Sequence, residues 1–207
     1  MKKIIYTGAT ILTTALVLAE PSLAADPGVY LGAGLGYEQL SNIKIAKNTG
    51  NGGVGGRVFA GYNFNNYFGL EAGFAAYQKN KYKLKQDILD QKVSFNYRLN
   101  STTLVAKGYL PLSIVQDDNQ FNLYGLLGVS YSHVKQTQKV NTSVANVKLN
   151  NKGNGAFVPV GGVGANYAID NNLTAGVEYT ITGSKSSKNK AAIPNANLVS
   201  LNLIYRI

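Results

Sequence analysis

Cysteine and tryptophan are absent from this chain, and histidine occurs once, as His133. Without cysteine there is no disulfide framework, no thiolate nucleophile and no thiolate metal site. One histidine excludes histidine clusters, so neither a metal nor a cofactor is expected. Asp87-Ile88-Leu89-Asp90 and Asp117-Asp118 lack the spacing of an EF-hand and read as solvated loop acids. Long hydrophobic runs are missing too. The only extended one, Ile4 to Ala19, falls short of the ~20 residues a spanning helix needs.

That run has the flanks of an export signal. Lys2 and Lys3 precede it, while Pro21 and Ser22-Leu23-Ala24 follow as a break and a small-x-small cleavage site. Residues 1–24 are read as a signal peptide and residues 25–207 as one exported domain. An exported domain without disulfides needs another source of stability. A sheet closed on itself supplies one, because every strand edge is paired.

Period-two alternation is what the chain has in abundance. Val199, Leu201, Leu203, Tyr205 and Ile207 alternate with Ser200, Asn202, Ile204 and Arg206. Leu173, Ala175, Val177, Tyr179 and Ile181 alternate with Thr174, Gly176, Glu178, Thr180 and Thr182. Further segments lie at about 29–37, 54–63, 67–77, 101–110, 122–133 and 156–168. With 172–183 and 196–207 they make eight, each near the ~9–11 residues that cross a bilayer at a tilt. Lys92 to Leu99 and Val140 to Leu149 still alternate, so some strands are expected to project further.

Connections alternate short and long. Residues 63–66, 169–172 and the longer 111–121 read as periplasmic turns. Residues 38–53, 78–100, 134–155 and 184–195 read as outward loops, which leaves both termini periplasmic. The expected fold is all-β: an eight-stranded antiparallel up-and-down transmembrane β-barrel in the bacterial outer membrane.

A secreted lipocalin-like barrel would reverse the faces. Against it, the face opposite the large apolar residues carries Gly69, Gly73, Gly128, Gly162, Gly164 and Gly176, too small to line a cup. It also carries Glu71, Lys107 and Glu178, which suit a paired polar lumen. Tyr62, Tyr67, Phe68, Tyr109, Tyr167 and Tyr205, near strand ends, are expected to form the interfacial aromatic girdle. The runs Gly32-Ala33-Gly34-Leu35-Gly36 and Gly161-Gly162-Val163-Gly164 complete no phosphate-loop motif and lie within strands.

Residues 60–71 (Ala60-Gly61-Tyr62-Asn63-Phe64 to Leu70-Glu71), Leu104-Val105-Ala106-Lys107, Asn166-Tyr167-Ala168-Ile169, Val177-Glu178-Tyr179 and the terminal 199–207 carry a resemblance. In order and spacing they resemble the OmpA-like/OmpX-like family of small outer-membrane barrels, across essentially all of 25–207. The resemblance implies that a lumen glutamate and lysine, matched by Glu71 and Lys107, form a buried ion pair blocking the barrel. Gly176 stands where the family carries a lumen arginine, and Ile207 where it usually ends in phenylalanine. The family includes adhesins and invasion or serum-resistance factors, which implies a surface role of that kind.

Five charges fall on the lumen face: Arg57, Glu71, Lys107, Glu178 and Arg206. An eight-stranded interior is about filled by side chains and an unpaired charge there is costly, so a salt-bridged plug is favoured over a narrow low-conductance pore. Enzyme chemistry is not expected. The remote alternative is a lipid A-modifying barrel using Ser132 and His133, disfavoured because strand neighbours point to opposite faces and cannot pair directly.

The chain holds 20 Lys and Arg against 10 Asp and Glu. Spread over loops of an exported barrel, that excess points away from nucleic acid. Lys79, Lys81, Lys83 and Lys85 alternate and are positioned to share a face of an extended strand. Lys135, Lys139, Lys148, Lys152, Lys185, Lys188 and Lys190 add to the outer side, where Glu38, Asp87 and Asp90 are the clear acids. Two readings stand: solvated charge, or attachment to lipopolysaccharide phosphates or to anionic host surface glycans or proteins. A monomer in contact with outer-membrane lipids is expected.

Overall fold

The computed structural model describes residues 25–41, 52–78, 80–86, 91–111, 120–141, 146–185 and 193–207. Its strands are β1 (Gly28–Ser41), β2 (Gly52–Asn63), β3 (Phe68–Tyr77), β4 (Asn80–Gln86), β5 (Gln91–Pro111), β6 (Phe121–Asn141), β7 (Asn146–Ala168), β8 (Leu173–Thr182) and β9 (Asn195–Arg206). β3 and β4 both pair with β5, along its C-terminal and N-terminal halves respectively. They form one interrupted stave. The result is a closed eight-stave antiparallel barrel, sealed by β9 against β1. The expected signal peptide, residues 1–24, lies outside the described residues.

Closure fixes the stagger. A path across register partners from Leu40 through Ala196, Thr182, Val160, Gly128, Val105, Glu71 and Gly61 returns to β1 at Tyr30, ten residues away. An even offset keeps the inward residues of every stave on one continuous surface. It also tilts the strands by about 40°.

The outward positions are apolar: Leu35, Val58, Leu127, Phe157, Val163 and Leu201 are all more than half exposed. Inward positions are buried and mixed, which is the reverse of a lipocalin. Tyr62, Phe68, Tyr167 and Tyr205 are exposed near the short-turn end. Tyr109 departs from the expected girdle. It is buried in the lumen with its ring 5.7 Å from that of Tyr124.

Both described short turns use the same device. Asn65 Oδ1 accepts from Tyr67 N at 2.9 Å and Phe68 N at 2.8 Å. Asp170 Oδ1 accepts from Asn172 N at 2.8 Å and Leu173 N at 2.7 Å. An Asx side chain thus replaces the backbone bonds that a tight turn leaves unmade.

The lumen glycines have a steric cause. Tyr30 pairs in register with Gly61, Phe59 with Gly32 and Tyr124 with Gly164. A Cβ on any of these three glycines would collide with the partner ring. Asn63 over Gly69, Asn166 over Gly176 and Asn202 over Gly34 repeat the pattern with carboxamides. Each large inward side chain lies across the strand beside it, in space that only glycine leaves.

At the other end the strands overshoot. β5, β6 and β7 run for 21, 21 and 23 residues, about twice what crosses a bilayer. The regions 78–100 and 134–155, expected as loops, are therefore mostly paired strand that carries the sheet outward.

Candidate functional site

Arg57 on β2, Glu71 on β3, Lys107 on β5 and Glu178 on β8 converge inside the barrel. Glu71 Oε1 meets Arg57 Nη2 at 2.6 Å, and its Oε2 meets Lys107 Nζ at 2.5 Å. Lys107 Nζ reaches Glu178 Oε2 at 3.5 Å, and Arg57 Nη1 pairs with Glu178 Oε1. The four close a ring of alternating charge with no net excess. β3 and β8 lie four staves apart in an eight-stave cylinder, so the ring bridges opposite walls. Lys107, Glu71 and Glu178 are each 2% exposed or less.

Two tyrosines complete the carboxylates. Tyr30 Oη donates to Glu71 Oε2 at 3.1 Å, and Tyr124 Oη donates to Glu178 Oε2 at 2.8 Å. Arg57 Cζ sits 4.5 Å from the Phe59 ring centroid, and Lys107 Nζ sits 4.7 Å from that of Tyr124. Buried charge is tolerable only when paired and hydrogen-bonded, and here each carboxylate has both. The signal for the tyrosines in the sequence was their lumen parity.

Arg206 takes no part in the ring. It sits at the short-turn mouth, where Nη1 pairs with Asp26 Oδ2 at 3.2 Å and donates to the Asn171 carbonyl at 3.3 Å. Gly176, where the resemblance places an arginine, lies beneath the Asn166 carboxamide. The guanidinium in the ring comes from Arg57 instead.

Beyond the ring the lumen turns apolar toward the long-hairpin end. Leu40, Tyr77, Leu99, Val134, Ile193 and Leu198 pack there from β1, β3, β5, β6 and β9 and the segment before it. Glu38, expected on an outward loop, instead lies within β1 and is fully buried, neither carboxylate oxygen having a hydrogen-bond partner among the described residues. An orphan carboxylate in such surroundings costs stability. Glu38→Leu is therefore expected to raise the unfolding free energy by about 1–3 kcal/mol, measured by urea titration in lipid vesicles. A destabilised variant would mean that the carboxylate is partnered after all.

Ser132 Oγ is buried and lies 3.3 Å from both Ser101 Oγ and Ser130 Oγ. His133 stands on the opposite face of β6, so the two do not meet. Among the described residues no group of three His, Cys, Asp or Glu is arranged to hold a metal ion. Asp87, Asp90, Asp117 and Asp118 lie outside the described residues.

The lysines divide similarly. Lys81, Lys83 and Lys85 occupy alternate positions of β4, while Lys139, Lys148 and Lys152 lie on β6 and β7. Lys135 is exposed on β6, and exposed Lys185 forms a bridge with Ile193. Lys79, Lys188 and Lys190 lie outside the described residues.

The chain is similar to known proteins in sequence and in fold. An uncharacterized protein of Coxiella burnetii is 31% identical, over 74% of this chain and 68% of its own. Neisserial surface protein A superposes with a TM-score of 0.58 at 16% identity, covering 87% of this chain and 97% of that one. Ail, the attachment invasion locus protein of Yersinia pestis, gives 0.53 at 15%, covering 88% and 99%. A second Ail structure, in complex with the heparin analogue sucrose octasulfate, gives 0.51 at 17%, covering 87% and 99%. At these identities the structural likeness concerns the fold alone. The model of the outer membrane protein beta-barrel domain, however, matches residues 9–206. The chain thus belongs to the outer membrane protein β-barrel domain family and is a small barrel of the bacterial outer membrane.

Proposed function

We propose that this barrel acts by surface interaction, with a plugged lumen and no catalysis, and that its basic extracellular extension engages polyanions. The observation that carries the reading is the ring of Arg57, Glu71, Lys107 and Glu178 across the lumen. With the interior occupied by that ring and by apolar packing beyond it, the projecting strands are the surface left for a partner. Their lysines supply the chemistry, and the heparin analogue bound by Ail supports a sulfated or phosphorylated ligand on a barrel of this shape. Residues 1–24 serve as the export signal.

The test is ionic. Exposed charges are screened beyond a Debye length of ~8 Å at physiological ionic strength. Binding of vesicle-embedded barrel to heparin should therefore weaken steeply as salt rises. Replacing Lys79, Lys81, Lys83 and Lys85 by Gln should weaken it further while the barrel still folds. Binding indifferent both to salt and to these four changes would reject an electrostatic surface role.

A further inference from the structure

Above the membrane the four outer segments form one sheet whose two faces differ. Lys81, Lys83 and Lys85 on β4 pair in register with Asn96, Ser94 and Lys92 on β5. Lys92, Ser94, Asn96 and Arg98 pair with Asn141, Lys139, Thr137 and Lys135 on β6, and Lys139 pairs with Lys148 on β7. Register partners share a face of a sheet, and alternate residues repeat it. Eight basic positions thus fall on one face: 81, 83, 85, 92, 98, 135, 139 and 148. The other face holds the positions of Tyr82, Leu84, Val93, Phe95, Val140 and Leu149, with Lys152 its one cation. No acidic residue occurs in these strand segments.

The inner end of the sheet fixes which face is which. Leu99 and Val134 are buried in the lumen, whereas Arg98 and Lys135 beside them are exposed. The basic face is accordingly the outward extension of the lipid-facing wall. On β6 it begins four residues beyond Tyr131, whose exposed ring packs 5.1 Å from that of Phe157. Such an exposed aromatic pair sits at the bilayer interface. Four residues at this tilt place the first basic row roughly 10 Å further out.

We infer that the outward face of the β4–β7 extension docks the phosphate groups of glycolipids in the barrel's own outer leaflet. This rests on the polyanion reading above and names its ligand. A cation row on the side wall faces neighbouring lipid headgroups across the membrane plane. A cationic flank that continues the lipid-facing wall favours a ligand that approaches laterally.

The experiment uses the whole barrel in nanodiscs of phosphatidylcholine with a fixed fraction of bisphosphorylated lipid A, read by native mass spectrometry of lipid retained. A basic residue beside an anionic surface is worth on the order of fivefold in partitioning. The variant Arg98→Gln, Lys135→Gln, Lys139→Gln, Lys148→Gln should lose lipid A retention by nearly three orders of magnitude. Lys152→Gln, on the opposite face, should retain it, and dephosphorylated lipid A should not be held by the wild type. Equal retention by wild type and the four-residue variant would overturn the proposal. So would heparin binding in pure phosphatidylcholine discs without any lipid A retention, an outcome that leaves the broader polyanion reading standing. Loss of both would remove the two together.

Discussion

Glu71→Ala is expected to lower the unfolding free energy by about 3–5 kcal/mol, the usual result of removing one partner from a buried ion pair. Glu71 holds three partners in the ring, Arg57, Lys107 and the Tyr30 hydroxyl. Its removal leaves two buried cations facing Glu178 alone, with Lys107 3.5 Å away. Lys107→Ala should cost less. The two carboxylates then keep Arg57 between them and one tyrosine hydroxyl each. The pair should also be non-additive, because groups in one network couple by roughly 0.5–3 kcal/mol. Urea unfolding of both single variants and the double variant in lipid vesicles measures this. Unchanged free energies in the single variants would show that the two residues are not coupled.

Filling one lumen glycine should be comparably damaging. In Gly164→Val the new Cβ occupies space held by the Tyr124 ring. Forcing that ring aside carries an overpacking cost of about 1–3 kcal/mol. Displacing it also breaks its hydroxyl bond to Glu178, worth about 1.5–3 kcal/mol for a bond to a charged group. Gly125→Val is the control. Its Cβ meets nothing within 4 Å, so the change should stay within about 0.5 kcal/mol. Equal effects at the two sites would mean that the glycine pattern reflects backbone needs instead of room for the facing ring.

Much of this was legible in the sequence, because a barrel with one lipid face imposes parity at every strand. The outward row Val199, Leu201, Leu203 and Tyr205, and the inward positions of Glu71, Lys107 and Glu178, follow from alternation once the glycines and charges mark the lumen face. The same rule was enough to place Tyr109, which shares parity with Lys107 two residues earlier. Proximity to a strand end suggested a girdle residue, but parity puts it in the lumen. Glu38 likewise shares parity with Tyr30 and is buried because β1 runs on to Ser41.

Closure could not be read this way. The meeting of Arg57 with Glu178, 121 residues apart, depends on the ten-residue stagger. That stagger emerges only when all eight staves are paired, since a single strand carries parity but no register. Arg57 and Arg206 were therefore equal candidates from the sequence, both on the lumen face. The tilt raises one to the level of the ring and leaves the other at the mouth with Asp26. The length of the projecting sheet was only partly visible. Lysine-rich alternation reads equally well as loop or strand until the cross-strand partner is known.

The central claim is that the ring closes the lumen, and planar-bilayer conductance of the purified barrel tests it most directly. An interior filled by the paired charges and the apolar packing beyond them should show no defined current steps across repeated insertions confirmed by heat-modifiable mobility. Reproducible unitary steps from the folded wild type would contradict the plug and make this barrel a narrow pore.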